Sequence, residues 1–373
     1  MDFSIDRAYF LKALSTVGKA ISPNSPMPVL SGIDINVSKD EIVLTGSDEF
    51  LTIRTTIRPG ELSRLIIKEP GHFVVSKVYI LSIVQKINDL TLDIFSDDGT
   101  HIFIETPASK FLLNALPAAE YPNMDLSRPE HEMSFPAFLM KDIVNEVGYA
   151  AAVQSSRQVL MGINFVAKEG TLTCHATDSY RMARKVCELK DCDDFAVTIP
   201  VKTLNEVISL IPEDTEMLKM YMNRKKVQFY FGPTLVQSGL YDGNYPDLSH
   251  IIPASHTSSM KVNVDEIMRV VDGTSIYSSS SNNYQICMNA DEGGVRVNAL
   301  SNEIGKCDQD LTATFEGEPI KIYFNARYML NALKGLHSDG DVLIEMSGPL
   351  KPMKITNPDD PTLVMIVVPI RSY

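Results

Sequence analysis

The chain has 373 residues, 44% of them apolar and 22% charged, with 20 Gly and 21 Pro, proportions that exclude a disordered, collagen-like or fibrous protein. Single hydrophobic cores stop growing at roughly 250–300 residues, so a chain of this length is expected to divide, and three domains fit. The 47 acidic against 34 basic residues give a net charge of −13, which on charge alone disfavours a nucleic acid partner.

In chain order, the first predicted helix carries Phe10, Leu14, Val17 and Ile21 at the spacing of one buried stripe. Strand-like alternation follows from Leu30 to Ile57, LSGIDINVSKDEIVLTGSDEFLTIRTTI. At Phe73 a short strand, FVVS, runs into a second helix with Leu81, Val84 and Ile87 inward, and Thr91 to Glu105 alternates again. Ala119-Glu120-Tyr121-Pro122 then precedes a linker, Leu126 to Glu130.

The pattern now repeats. Met140, Val144 and Val147 mark a third helix, and Leu160 onward reads LMGINFVAKEGTLTCHATDSYRMARKV, placing Gly162 on Gly32 and Asp178 on Asp48. Ala196 opens AVTIPVKTLNEVISLI, with Leu204, Ile208 and Ile211 inward, and Val227 to Phe231 is a further strand. Gly243-Asn244-Tyr245-Pro246 repeats the earlier tyrosine motif before a linker at Ile252 to Ser258. A third, more diverged copy has Ile267, Val270 and Val271 on a fifth helix and strands from Tyr284. Its second strand-to-helix block begins at Ile322, with Met329, Leu333 and Leu336 inward on the sixth helix, and Ser76, Pro200 and Asn325 occupy one position of the three blocks. The fold class is therefore α+β, three tandem copies of one domain, each with two helices and antiparallel sheets. Boundaries are expected at 1–128, 129–254 and 255–373.

Opposite the apolar stripes lie cations. Lys12 and Lys19 share one face of the first helix, as Arg327 and Lys334 share one face of the sixth, and Lys77, Lys86, Lys141, Lys202 and Arg269 add to them. Singly these are ordinary solvated side chains, and Asp142, Glu146, Glu206, Asp265 and Glu266 stand among them. Gathered on one family of helices in an acidic chain, they suit a positive inner face that holds a polyanion by enclosure rather than by salt-sensitive contact.

No catalytic constellation stands out. His175, Asp178 and Ser179 supply hydrolase residue types but lie within five positions of one another, and no G-x-S-x-G elbow is present. Phosphate-binding and dinucleotide loops and H-E-x-x-H are missing from the sequence. Five scattered cysteines, Cys174, Cys187, Cys192, Cys287 and Cys307, form no C-x-x-C pair, and the seven His are dispersed, so neither a metal site nor any cofactor is expected. The longest apolar run, Leu363 to Ile370, falls short of the roughly 20 residues a membrane helix needs, and Asp2 and Asp6 replace a basic leader, so a cytoplasmic protein is expected.

The segments ATDSYRMA at Ala176 to Ala183, LPAAEYPN at Leu116 to Asn123, YDGNYPD at Tyr241 to Asp247 and VVPIRSY at Val367 to Tyr373, set in a three-copy plan, resemble the bacterial DNA polymerase III beta subunits, the sliding clamps. The likeness spans the full chain. It implies a ring-shaped head-to-tail homodimer with helices lining the hole and sheets outside, a non-catalytic processivity subunit associated with the nucleoid. Implied partners are encircled duplex DNA, a second copy of the chain, the DNA polymerase III alpha subunit, an ATP-driven clamp loader, and other polymerases and repair proteins with clamp-binding peptides. No membrane partner is implied.

By the same resemblance, a peptide groove is expected at Leu160, Thr177, Ser179, Tyr180, Arg181, Met182, Pro246, Ile251, Asn325, Tyr328, Leu350, Pro352, Ile366, Val367, Val368, Pro369, Ile370 and Arg371. Its apolar members suit anchoring pockets, while Arg181, Asn325 and Arg371 suit orienting a peptide. Some family members have Gly-His at Ser179-Tyr180, so the rim and its peptide preference are expected to differ here. DNA contacts are expected from the loops at Asn24 and at Gln154 to Gln158, Arg157 above all, beside the helix residues Lys12, Lys77, Lys141, Lys202, Arg269, Arg327 and Lys334. A dimer interface is implied between Phe111 and Leu113 of the first copy and Ile276 and Tyr277 of the third. Two competing readings are a monomeric adaptor that uses the groove without encircling DNA, and a hydrolase built on Asp178 and Ser179.

Overall fold

The computed structural model describes residues 1–22, 25, 27–96, 99–189, 193–278, 283–337 and 340–371. The first third forms β1 (Asp2–Asp6), α1 (Arg7–Gly18), β2 (Gly32–Val37), β3 (Ile42–Ser47), β4 (Leu51–Ile57), β5 (Ile66–Glu69), β6 (Gly71–Ser76), α2 (Lys77–Lys86), β7 (Thr91–Phe95), β8 (His101–Glu105) and β9 (Lys110–Leu116). The second forms β10 (His131–Pro136), α3 (Ala137–Val147), β11 (Gly162–Lys168), β12 (Thr171–Thr177), β13 (Arg181–Glu188), β14 (Phe195–Pro200), α4 (Val201–Leu210), β15 (Met217–Met222), β16 (Lys226–Phe231) and β17 (Thr234–Gly239). The last forms β18 (Ser258–Asn263), α5 (Val264–Ser275), β19 (Gln285–Asp291), β20 (Gly294–Ser301), β21 (Gly305–Leu311), β22 (Ala313–Gly317), β23 (Ile320–Asn325), α6 (Ala326–Gly335), β24 (Asp341–Met346), β25 (Met353–Asn357) and β26 (Asp360–Val367).

Each helix follows directly on a strand, and at α1, α5 and α6 the strand's last residue caps it. Asp6 accepts from the Tyr9 amide at 3.0 Å, Asn263 from the amides of Asp265 and Glu266, and Asn325 from that of Tyr328. The expected stripes are buried on α1, α3, α5 and α6. On α2 and α4 the expected Val84, Ile87, Leu204 and Ile211 are buried, while Ile80 and Val207 take the inward places one position before the expected Leu81 and Ile208. Each fully buried Leu, Ile or Val contributes about 1.5–3 kcal/mol.

The chain divides into two compact units, Met1–Ala137 with Asn205–Leu240, and Phe138–Leu204 with Tyr241–Tyr373. The first holds a 13-stranded antiparallel sheet, β10-β15-β16-β17-β4-β3-β2-β6-β9-β8-β7-β1-β5. The second holds a nine-stranded sheet, β14-β11-β12-β13-β26-β25-β24-β18-β22, and a four-stranded one, β21-β20-β19-β23.

Sheets thus run across the repeats. In the first unit β17 pairs with β4, Gln237 opposite Thr52 and Ser238 opposite Leu51. In the second, β26 pairs with β13, Ile366 opposite Met182 and Val367 opposite Arg181. These are equivalent seams, each joining the third strand of one copy to the last strand of the next. The repeated glycines explain themselves here. A Cβ on Gly32 would stand 2.6 Å from a Val74 methyl, and one on Gly162 would stand 2.7 Å from the Ile199 carbonyl oxygen, so the first strand of the first two copies approaches its neighbour too closely for a side chain.

Candidate functional site, a groove at the second seam

The turn from β12 to β13 is shaped by two side chains. Asp178 Oδ1 accepts from the amides of Tyr180 at 2.9 Å and Arg181 at 3.0 Å, while the Thr177 hydroxyl donates to the Arg181 carbonyl at 2.7 Å and accepts from the Ser179 amide at 3.1 Å. Ser179 consequently sits at φ +79°, the left-handed region. The turn holds Tyr180 outward, 61% exposed, its ring stacked on that of Tyr328 with centroids 6.4 Å apart.

Arg181 points the other way, toward α6. Its Nε donates to Asp178 Oδ2 at 2.9 Å and its guanidinium lies 4.7 Å from the Tyr328 ring centroid and 5.5 Å from that of Tyr149. Arg181 Nη1 and the Tyr149 hydroxyl are both buried without a hydrogen-bond partner. Two such donors side by side favour an acceptor brought by a ligand or water. Burial holds the Tyr149 hydroxyl firmly in its neutral form, so it remains a donor.

On the opposite face of the same strands, Met182, Leu248, Val364 and Ile366 form an apolar cluster flanked by Tyr245 and Ile252. Tyr245 is anchored by the Thr177 amide, which donates to its hydroxyl at 3.0 Å, and by an edge-on contact with His175 at 5.0 Å. Burial, then the neighbouring Arg184, pushes the His175 imidazole down to about 4, so it is neutral near pH 7. A catalytic role for His175, Asp178 and Ser179 therefore has no geometry to rest on: His175 packs on Tyr245 while Asp178 is committed to the turn and to Arg181.

The end of the chain closes the site. The Val368 amide donates to the Tyr180 carbonyl at 2.9 Å and the Ile370 amide to the Tyr323 carbonyl at 2.7 Å, laying Val368, Pro369 and Ile370, all half-buried, between the turn and β23. Met353 pairs with Val367, which sets Pro352 beside this segment, and Leu350 stands 62% exposed two residues earlier. Leu160 is buried in the turn before β11, and Pro246 and Ile251 lie on the segment that carries Tyr245 and Leu248.

Asn325 holds the helix start: its Oδ1 caps α6 at Tyr328 and its Nδ2 donates to the Asn283 carbonyl at 2.7 Å. It thereby positions Tyr328.

The chain matches three family descriptions in tandem: DNA polymerase III beta subunit, N-terminal domain, over residues 1–125, central domain over 135–247, and C-terminal domain over 249–371. It is 30% identical to the beta sliding clamp of Bacillus subtilis and 31% identical to that of Halalkalibacterium halodurans, with 100% of each chain covered. Among solved structures, the DNA polymerase III beta chain of Streptococcus pneumoniae superimposes with a TM-score of 0.95 at 28% identity, and the Bacillus subtilis sliding clamp with 0.93 at 30%, again over 100% of both chains.

The chain belongs to the DNA polymerase III beta-subunit family, the sliding clamps. The clamp's expected DNA-facing cations are unequal. Lys12, Lys334, Gln154 and Arg157 are exposed, and Lys141 is half-buried. Arg327 stacks 3.5 Å over the Tyr284 ring, and Arg269 is paired with Glu266 at 2.9 Å. Lys77 donates to the Ile21 carbonyl, and Lys19 pairs with Glu206 at 3.6 Å, which subtracts it from the open positive charge. Lys202 is exposed and engaged in a contact of its own. Asn24 lies outside the described residues. Of the expected interface residues, Ile276 is 65% exposed at the end of α5, Tyr277 is half-buried, and Phe111 and Leu113 are half-buried on β9. Among the described residues no group of three or more His, Cys, Asp or Glu is placed to hold a metal, and no helix is long and apolar enough to cross a membrane.

Sequence reasoning missed Tyr149, Leu248, Tyr323 and Val364. Only Leu248 carried a signal, standing three residues after Tyr245 as Met124 stands after Tyr121.

Proposed function

We propose that two copies of this chain close head to tail into a ring that encircles duplex DNA and tethers the replicative polymerase and other partners through the groove at the second seam, giving processivity without catalysis. The reading draws on membership of the sliding-clamp family. The observation that carries the ring is the pattern of paired and unpaired edges. Twice within the chain a third strand (β4, β13) pairs with a last strand (β17, β26). The remaining third strand, β21, ends its sheet, and the remaining last strand, β9, has only Ala115 and Leu116 paired on its outer edge, to β6. A third seam of the same kind, β21 of one copy against β9 of the next, satisfies both edges. Because the two surfaces differ, the contact is heterologous and must close or run on as a filament. Phe111 and Leu113 occupy the β9 positions equivalent to Leu235 and Gln237 of β17, which supports assigning them to this joint, with Ile276 and Tyr277 at the end of α5 as their partners.

Three domains bounded at 1–128, 129–254 and 255–373 fit the repeats and the matched family ranges. Partners dock as short extended peptides, their apolar side chains over the Met182, Leu248, Val364 and Ile366 cluster and beside Tyr180 and Tyr328. The groove residues from Leu160 to Arg371 and the DNA-facing residues Gln154, Arg157, Lys12, Lys77, Lys141, Lys202, Arg269, Arg327 and Lys334 are assigned on this basis. DNA enclosed by topology needs few tight contacts, which suits a chain of net charge −13. Sedimentation equilibrium tests the ring: a species of twice 41.4 kDa supports it, and a concentration-independent 41.4 kDa favours the monomeric adaptor.

A further inference from the structure

We propose that the first seam is a second peptide groove whose ligand is the chain's own linker, Met124 to Arg128. The inference rests on reading the second seam as a groove, because it comes from superposing the two seams residue by residue.

Their frames coincide. Asp48 Oδ1 accepts from the amides of Phe50 and Leu51 as Asp178 does from Tyr180 and Arg181. The Ser47 hydroxyl donates to the Leu51 carbonyl as Thr177 does to Arg181, and Glu49 takes φ +75° where Ser179 takes +79°. Phe50 stands where Tyr180 stands, its carbonyl accepting from the Gly239 amide at 3.0 Å as that of Tyr180 accepts from Val368. Tyr121 and Tyr245 both reach the sheet through their hydroxyls, and Met124 and Leu248, three residues on, both join an apolar cluster.

Beyond that point they part. After Leu248 the chain turns back, the Ile251 amide donating to the Leu248 carbonyl at 3.1 Å, and among the described residues no hydrogen bond joins 249–252 to β25 or β26. After Met124 the chain lies over β17 and β16, the Ser127 amide donating to Asp125 Oδ1 at 3.0 Å. Gln237 Nε2 donates to the Asp125 carbonyl at 3.1 Å, and Gln228 Nε2 to the carbonyls of Leu126 at 3.2 Å and Ser127 at 3.0 Å. Lys226 Nζ holds the Asp125 carboxylate at 3.0 Å and its carbonyl at 2.9 Å, and Arg128 lies 4.6 Å from the Tyr221 ring centroid and 5.1 Å from that of Tyr230.

This is how a groove holds a peptide. Side-chain amides take successive carbonyls, a cation takes the carboxylate, and an aromatic pair takes the arginine. By strand register Gln237 corresponds to Ile366 and Gln228, fully buried, to Lys354. The polar floor suits the linker backbone, whereas the apolar floor at the second seam suits side chains. Tethering presents the linker at an effective concentration on the order of millimolar, so it excludes peptides in solution. Of the two seams within the chain, one is therefore closed and one left open.

The test uses the full chain with residues 124–128 replaced by a Gly/Ser linker of equal length, and a labelled synthetic peptide spanning Asn123 to Pro129. The replaced chain binds the peptide one to one, at least tenfold more tightly than the native chain does, and loses it on Gln228→Ala with Lys226→Ala. A replaced chain that melts cooperatively yet does not bind overturns the proposal. Should the replacement not fold, Gln228→Ala with Lys226→Ala in the native chain is expected to speed cleavage within 124–128 by a non-specific protease at least tenfold, and unchanged cleavage overturns it. A Gln/Leu/Phe-rich partner peptide separates the two readings: if it fails to bind the native chain while the linker peptide binds the replaced one, the groove reading falls and the first-seam inference stands.

Discussion

Arg181 Nε lies 2.9 Å from Asp178 Oδ2, and the other oxygen of that carboxylate fixes the turn that carries Arg181 itself, so one aspartate sets both the backbone and the guanidinium of the groove. Both side chains are nearly buried, at 12% and 9% exposure. Removing Asp178 leaves a cation without its partner in a dry site, which costs about 3–5 kcal/mol. Asp178→Ala is expected to lower the urea midpoint by the equivalent of about 3 kcal/mol and to weaken partner-peptide binding. Urea titration followed by circular dichroism checks the first effect, and calorimetry with a partner peptide the second.

Tyr180 gives a cleaner separation of binding from stability. It is exposed and touches the fold mainly through its stack on Tyr328. Tyr180→Ala is expected to reduce peptide affinity about tenfold, a loss of about 1.4 kcal/mol, while the melting temperature stays within a few degrees. An unchanged affinity places the peptide elsewhere.

The six helices and the three copies were legible because periodicity and glycine placement are local signals: Gly32 and Gly162 mark the same close approach of strands. On α2 and α4 one inward residue each was off by one position, Ile80 for Leu81 and Val207 for Ile208. Arg181 and Tyr180 were legible through their motif. Tyr149 was not, because a lone aromatic in a short turn has no periodicity to betray its burial. The capping role of Asn325 was not legible, for a cap and a ligand donor look alike in sequence. The hold of Lys226, Gln228 and Gln237 on Asp125 to Ser127 joins residues about a hundred positions apart, which no local pattern reports.

His175 gives a pH signature. Its folded pKa, about 4, lies below the unfolded value near 6.5, so between these values the unfolded chain binds the extra proton. This neutral histidine's contribution is full above pH 6.5 and is lost as pH falls toward 4, by about 1.4 kcal/mol per pH unit. His175→Asn is expected to flatten that portion of the stability profile relative to the parent. Urea midpoints at pH 4.5, 5.5 and 7 give the comparison, and parallel profiles contradict the assignment.

At the proposed ring joint, Ile276 is 65% exposed in the single chain. Ile276→Asp combined with Tyr277→Asp introduces charge into an apolar contact, and the dimer is expected to dissociate to 41.4 kDa at low micromolar concentration. Sedimentation velocity reads this directly. A dimer of undiminished stability moves the joint away from α5.

The most direct test of encirclement is retention on nicked circular DNA, after loading by a cognate clamp loader and at high salt, before and after one cut linearises the circle. The ring account predicts a protein that stays on the circle through the high-salt wash and is lost from the linear form. Equal retention on both would mean that direct contacts hold the DNA, and would contradict it.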